Sequence, residues 1–162
     1  MLTVDESASM RAIAEEAGFS RLTLYRHFPT REALIEVMTD EMLDGMADAV
    51  DAALERPGTG ADAIAALLHD LARITSEYPS ILGPQPGRPS EAVLQFREGF
   101  AQLVERGKAD GSIRPDADGI ALRQVAMGGL STLMHCAADG EPVQADFATT
   151  VARLLLDGAR PR

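Results

Sequence analysis

Seven stretches of the chain repeat apolar residues at the period of an α-helix, and breaks containing proline or glycine separate them. The stretches cover residues 9–18, 20–28, 30–55, 61–77, 90–109, 117–138 and 144–158. No stretch alternates apolar and polar residues in the manner of a half-buried strand, and no internal repeat is present. The sequence therefore predicts an all-α protein.

Length and composition exclude several classes of protein. With 162 residues, the chain is the size of one domain or of a small module fused to a modest one. Cys136 is the only cysteine, which excludes an intrachain disulfide and favours a reducing compartment. No apolar run approaches the roughly 20 residues that cross a bilayer. We expect a cytoplasmic protein that has no membrane segment.

Catalysis has little support in the sequence. The histidines are His27, His69 and His135, and none of them has a second histidine at a metal-ligand spacing. Neighbours on a helix point about 100° apart, so His135 and Cys136 do not form a nucleophile and base by themselves. We expect neither an enzyme nor a bound metal or cofactor.

The first two helical stretches have the spacing of a helix-turn-helix. Ser9 is a good N-cap for the first helix. The apolar face of that helix is formed by Met10, Ile13, Ala14 and Ala17. Gly18 ends this helix, Ser20 caps a second short helix, and Pro29 stops it. Two short helices joined by a turn of about three residues that contains glycine are typical of this motif.

Charge is sharply segregated along the chain, whose formal net charge is −10. Residues 17–31 contain three arginines and no acidic residue, whereas residues 32–55 contain eight acidic residues and no lysine or arginine. An acidic surface repels a phosphate backbone, but a local basic patch is the usual mark of a nucleic-acid site. The second short helix lies inside the basic segment.

The side chains of this second helix divide into two faces when each residue is turned by about 100°. Leu24 and Phe28 point together toward the first helix. The opposite face presents Leu22, Thr23, Tyr25 and Arg26, with Arg21 and His27 at its edges. Arginine pairs with guanine, apolar atoms contact the thymine methyl, and hydroxyl, phenol and imidazole groups bond phosphate. From spacing alone, a DNA-binding face and a merely solvated surface both remain open.

The run SMRAIAEEAGFSRLTLYRHFPTREALIEVM, residues 9–38, resembles the DNA-binding segment of TetR-type (tetracycline-repressor-like) transcriptional regulators. The shared pattern includes Ile-Ala, Ala-Gly, an apolar residue before serine, and Thr-Leu-Tyr followed by a basic residue and His-Phe. The resemblance implies that Gly18 forms the turn and that Arg31 meets phosphate. Together with the exposed face, it predicts DNA contacts from Ser20, Arg21, Thr23, Tyr25, Arg26, His27 and Arg31.

The resemblance also implies partners and a domain organisation. We expect a homodimer that represses transcription at a palindromic double-stranded operator, and an unknown small-molecule effector that releases it. Residues 1–46 would form the helix-turn-helix segment, and residues 47–162 the helical effector-binding and dimerisation domain. The patterns at 117–138 and 144–158 are apolar on more than one face, which indicates either a dimer interface or two fully buried helices.

One departure from the family concerns the start of the segment. Family members carry a complete amphipathic helix before the equivalent of Ser9, whereas only MLTVDESA precedes Ser9 here. We therefore expect either that the natural start of the protein lies upstream of Met1 or that the DNA-binding segment lacks its first helix. If the helix is missing, four apolar side chains lose a packing partner: Met10, Ile13, Leu24 and Phe28. Each exposed side chain then forfeits about 1.5–3 kcal/mol of burial free energy. The alternative function is a helical ligand-binding or dimerising protein that does not bind DNA by itself.

Overall fold

The computed structural model of the chain describes residues 9–78, 90–138 and 147–159, except for the side chains of residues 133–135, 137 and 138. Within these ranges the chain forms seven α-helices and no strand. The helices are α1 (Met10–Glu16), α2 (Arg21–His27), α3 (Arg31–Glu55), α4 (Gly60–Ser76), α5 (Glu91–Ala109), α6 (Gly119–Ala138) and α7 (Phe147–Ala159). The all-α prediction is confirmed, and each helix end lies within three residues of its predicted position.

Short hydroxyl side chains start five of the helices. Ser9, Ser20, Thr30, Thr59 and Ser90 each have an extended backbone, and each side-chain oxygen accepts a hydrogen bond from the amide three residues later. Such a cap satisfies one of the four amides that have no carbonyl partner within the helix. The caps predicted for the first three helices are confirmed.

Two separate groups of buried residues divide the protein. The smaller group contains Met10, Ile13, Ala14, Leu24 and Leu34. We call residues 9–38, which contain it, the head. The larger group begins at Met42 on α3 and extends through α4, α5, α6 and α7, and we call the described residues from 39 onward the body. Helix α3 is the single continuous element that belongs to both.

Helix α4 lies at the centre of the body, where it packs against α3, α5, α6 and α7. Its residues Ile64, Leu67, Leu68 and Leu71 have at most 1% of their surface exposed. A helix with neighbours on several sides has to be apolar around most of its circumference. The body thus has a deep core that does not depend on the head.

The apolar stripe on α3 differs from its prediction. The sequence predicted a stripe through Ile35, Met38, Met42, Met46, Ala49 and Ala53. The buried residues are Leu34, Thr39, Met42, Met46, Ala47, Val50 and Ala53. The stripe broadens in the second half because α3 packs there against two helices, α4 and α5. Thr39 is buried, and its hydroxyl is satisfied because Oγ1 donates to the Ile35 carbonyl at 2.8 Å.

The end of α5 holds the turn between α3 and α4. The Arg106 guanidinium donates to the backbone carbonyls of Leu54, Arg56 and Gly58. Asp110 accepts a hydrogen bond from the Gly60 amide at 2.7 Å. These hydrogen bonds therefore connect the C-terminal end of α3 with α4 and α5.

Glycine is required where α4 meets α5. A Cβ on Gly60 would lie 2.5 Å from the Cα atom of Gly107, and a Cβ on Gly107 would lie 2.6 Å from Ile113. Both distances are far below ordinary van der Waals contact. The two helices approach each other this closely because Gly60 carries no side chain, and the missing side chain of Gly107 leaves room for Ile113.

Helices α6 and α7 are partly uncovered. Ile120, Val125 and Leu154 keep 63%, 61% and 68% of their surfaces exposed. The alternative of two fully buried helices is therefore wrong for these residues, since nothing within the described chain covers them. Among the described residues we find no helix that combines the length and the apolar character needed to span a membrane.

Candidate nucleic-acid interface

The turn between α1 and α2 is set by hydrogen bonds and by one glycine. The Phe19 amide donates to the Ala14 carbonyl at 2.9 Å, and the Gly18 amide donates to the Glu15 carbonyl at 3.2 Å. This pair of bonds is the Schellman motif, which needs a left-handed residue just after the helix. Gly18 supplies it with φ of 72°. The predicted role of Gly18 in the turn is confirmed.

Helix α2 is anchored by its inner face. Leu24 is buried against Met10, Ile13 and Ala14 of α1, and the half-buried Phe28 packs on the same group. The predicted inward direction of Leu24 and Phe28 is confirmed. The expectation of a missing first helix concerns residues 1–8, which lie outside the described residues.

The outer face of α2 is exposed to solvent. Leu22 has 81% of its surface exposed, and Tyr25 has 37%. Arg21, Arg26 and His27 are exposed as well, while Thr23 is intermediate. With Leu24 buried and these side chains outside, the helix presents its basic and aromatic residues as one surface, which we call the α2 face (residues 21–23 and 25–27).

Two contacts order side chains of the α2 face. The Thr23 hydroxyl lies 2.7 Å from the Ser20 hydroxyl, whose oxygen also accepts the Thr23 amide proton at 3.1 Å. The Arg21 guanidinium carbon lies 5.5 Å from the centre of the Tyr25 ring, within the range of a cation–π contact. The structure brings four of the predicted DNA-contacting residues together as two ordered pairs.

The arginines of this region form no salt bridge within the described ranges. None of the ion pairs found among the described residues involves Arg21, Arg26 or Arg31. Arg31 lies in the first turn of α3, and its buried Nε has no hydrogen-bond partner in the part of the chain described. An unpaired buried donor is uncommon in a folded protein. These positive charges are therefore available for a ligand.

The acidic residues of α3 lie away from the core. All eight acidic residues between positions 32 and 55 are exposed. The carboxylate of Glu32, at the start of the helix, is hydrogen-bonded by its own backbone amide and by the Thr30 side chain, and these bonds lower its pKa. The acidic residues of α3 thus form a surface that faces solvent.

The comparisons with known proteins agree with this geometry. Residues 6–38 match the family model described as "Bacterial regulatory proteins, tetR family". The match covers the helix-turn-helix, its turn glycine and the first two turns of α3. The N-terminal segment of the chain is therefore a TetR-type DNA-binding segment. Members of this family regulate transcription and are not enzymes, as the sequence predicted.

Solved structures share the fold of the whole chain. The TetR-family regulator PfmR from Thermus thermophilus is 23% identical, with a TM-score of 0.68 over 94% of this chain and 87% of that one. The regulator SCO0520 from Streptomyces coelicolor is 25% identical, with a TM-score of 0.61 over 98% and 90%. The ketosteroid regulator KstR2 of Mycobacterium tuberculosis is 18% identical, with a TM-score of 0.64 over 96% and 86%. No curated protein sequence matches the chain.

Sequence reasoning about the site omitted one exposed residue. The helical period places Leu22 on the outer face of α2, but the predicted DNA contacts do not include it. It has the largest exposed fraction, 81%, of the large apolar residues that the structure describes as exposed. The signal was present in the sequence, because a leucine two residues before the buried Leu24 must point away from it.

Proposed function

We propose that the protein is a homodimeric repressor that binds a palindromic operator and is released from it by a small-molecule effector. The observation that carries this proposal is the α2 face, which presents exposed basic and aromatic side chains within a segment that matches the TetR family. The fold is shared with KstR2, a ketosteroid transcriptional regulator, which supports regulation by a small molecule.

The proposed contacts follow from where each side chain lies. We assign the major groove to the α2 face, with Arg26 directed at base edges and Arg21, Thr23, Tyr25 and His27 at its sides. Ser20 contributes by holding Thr23 in place through their 2.7 Å hydrogen bond. Arg31, which forms no salt bridge among the described residues, binds a phosphate.

The proposed dimer forms through α6 and α7, in the regions near residues 117–138 and 144–158. Support comes from Ile120, Val125 and Leu154, which are more than 60% exposed on these two helices. A second copy would cover this apolar surface. Two α2 faces in such a dimer must lie about 34 Å apart to enter successive major grooves on one side of the duplex.

Effector control then acts by a population shift. An effector can bind better to a dimer in which the distance between the two α2 faces does not match the major grooves. Such an effector lowers the affinity for DNA without contacting the DNA. Helix α3 carries the change, since its first turns pack in the head and its later turns in the body. We place the functional division at residue 46, within this helix, with the DNA-binding segment before it and the effector-binding and dimerisation domain after it. Because the proposed partner is the DNA of a bacterial cell, we place the protein in the cytoplasm.

Binding to DNA is tested on a library of random duplexes, with the bound fraction measured by gel shift over a series of salt concentrations. The wild-type protein should bind, and each lost phosphate contact should reduce the slope of log affinity against log salt by about 0.9. Arg31→Ala should therefore weaken binding and reduce the slope by about 2 for the two subunits. The control is Arg97→Ala, which removes an exposed arginine of the body and should leave the slope unchanged.

The dimer is tested by analytical ultracentrifugation of Leu154→Glu, with Leu94→Glu as the control. Both leucines are more than half exposed, but Leu94 lies on α5. We expect Leu154→Glu to be monomeric and Leu94→Glu to remain dimeric. A wild-type dimer that binds no duplex even at low salt would contradict the proposed function and favour the alternative of a ligand-binding or dimerising protein.

A further inference from the structure

The position of Leu24 fixes which side chains of α2 reach furthest from the head. Leu24 is 6% exposed and points into the core. With about 100° between successive residues, the direction opposite Leu24 falls between Leu22 and Arg26. These two side chains therefore form the outermost line of the α2 face, and the other residues of that face lie on its sides.

Leu22 and Arg26 also differ from the side residues in their contacts. Thr23 is bonded to Ser20, and Arg21 lies over the Tyr25 ring. Arg26 is exposed and forms no ion pair within the described ranges. Leu22 does not belong to the buried group of the head or to the half-buried residues packed on it. Leu22 is thus 81% exposed and lies outside the core of the head.

An apolar group at the outermost line has one good partner in the major groove. Only thymine presents a methyl group there, whereas guanine presents the O6 and N7 acceptors that suit an arginine. The Cα atoms of Leu22 and Arg26 are about 6 Å apart along the helix axis, and base pairs are stacked about 3.4 Å apart. The two side chains can therefore reach bases one or two steps apart.

We propose that Leu22 is a specificity-determining residue that contacts a thymine methyl, next to a guanine contacted by Arg26. This inference rests on the proposed function and makes it more specific. Each operator half-site should contain a thymine within two base pairs of a guanine, at the centre of the contact with α2.

The test starts from a half-site selected with wild-type protein from a library of random duplexes. That duplex is then prepared with 2′-deoxyuridine in place of each thymine in turn, which removes only the methyl group. One position should weaken wild-type binding by about fourfold per half-site, the factor expected for one methyl-sized group taken from an apolar contact. Leu22→Ala should bind the thymine and uridine duplexes equally, and Leu22→Met should keep the preference for thymine.

A second substitution in the DNA tests Arg26. Replacing the neighbouring guanine by 7-deazaguanine removes the N7 acceptor and should weaken wild-type binding at least fivefold. The Arg26→Ala variant should bind the guanine and 7-deazaguanine duplexes with equal affinity. The control protein, Leu94→Ala, removes a leucine that is 52% exposed on α5 and should respond to both base changes as the wild type does.

The outcomes separate the two proposals. If wild-type protein enriches no duplex at all, the proposed function is overturned and the role of Leu22 with it. If it enriches a half-site but binds every uridine duplex as well as the thymine duplex, the role of Leu22 alone is overturned. The same holds if Leu22→Ala keeps the full response to uridine. Circular dichroism checks that the variants are folded, and Leu22 lies outside the core of the head.

Discussion

The head and the body are built on cores of very different depth. In the body, Leu67, Leu68 and Leu71 have no exposed surface. In the head, the buried group has five members among the described residues, and Met10 and Leu34 at its border each keep 8% of their surface exposed. Since stability follows buried apolar area, the body should dominate the unfolding of the whole chain, and the head should open locally at lower cost. We therefore expect the head to be the less stable of the two regions.

Helix α3 makes the two regions mechanically continuous. Leu34 and Met38 contact the core of the head, and Met42 and Met46 belong to the core of the body. The helix runs without a break between these pairs. We therefore expect it to transmit a displacement of the body to the head. Arg106 donates to the carbonyls of Leu54 and Arg56, and this ties the C-terminal end of α3 to α5.

The largest expected effect comes from the core of the body. Phe100→Ala should lower the free energy of unfolding by about 3–5 kcal/mol, because Phe100 is 1% exposed and leaves a cavity. The matched control is Phe19→Ala in the head, where 58% exposure limits the change to about 0.5 kcal/mol. Denaturant unfolding followed by circular dichroism, at equal protein concentrations, measures both. Equal losses of unfolding free energy for the two substitutions would contradict the difference in depth between the two cores.

A smaller and more local effect is expected in the head. Ile13 is 2% exposed, and Ile13→Ala should cost about 2–5 kcal/mol in the local stability of the head. Amide hydrogen exchange should accelerate in α1 and α2, while protection in α4 stays the same. Leu22→Ala, which changes an exposed residue of the same head, is the control and should leave exchange unaltered. Loss of protection in α4 with Ile13→Ala would show that the two regions unfold as one unit.

The smallest effect concerns pH and the joint between α4 and α5. Hydrogen bonds from the Ser112 side chain and from the Gly60 and Ser112 amides hold the pKa of Asp110 below its ordinary value of 3.8. Because the folded state favours the carboxylate, its contribution to stability is complete above pH 3.8 and is lost as the pH falls through the lowered pKa. Asp110→Asn should therefore be less stable than the wild type at pH 7.

The same comparison at acid pH gives the control for this prediction. The stability difference between wild type and Asp110→Asn, measured by urea unfolding from pH 7 down to pH 2, should shrink below pH 3.8. Asp116→Asn is the matched substitution, since Asp116 is exposed and lies only in a surface ion pair with Arg114. A constant difference across the whole range would rule out the carboxylate as the stabilising form.

Much of the head could be predicted from the sequence because its signals are local. Ser9, Ser20 and Thr30 mark helix starts, Gly18 marks a left-handed turn, and the 100° period separates Leu24 from the exposed face. Each of these features depends on residues within one or two turns of the helix. Leu22 is absent from the predicted contacts because the period gives its direction but not how far it is exposed.

The sequence by itself determined the all-α class, the positions of the seven helices and the character of the DNA-binding segment, since caps, glycine turns and apolar periods act over a few residues. Only the tertiary structure decided which helices surround α4. It therefore also decided which apolar residues are buried and which residues of α6 and α7 stay exposed. The contacts of Arg106 and Asp110 with residues about 50 positions earlier belong to the same class. They depend on the packing of distant segments, and no local pattern encodes that packing.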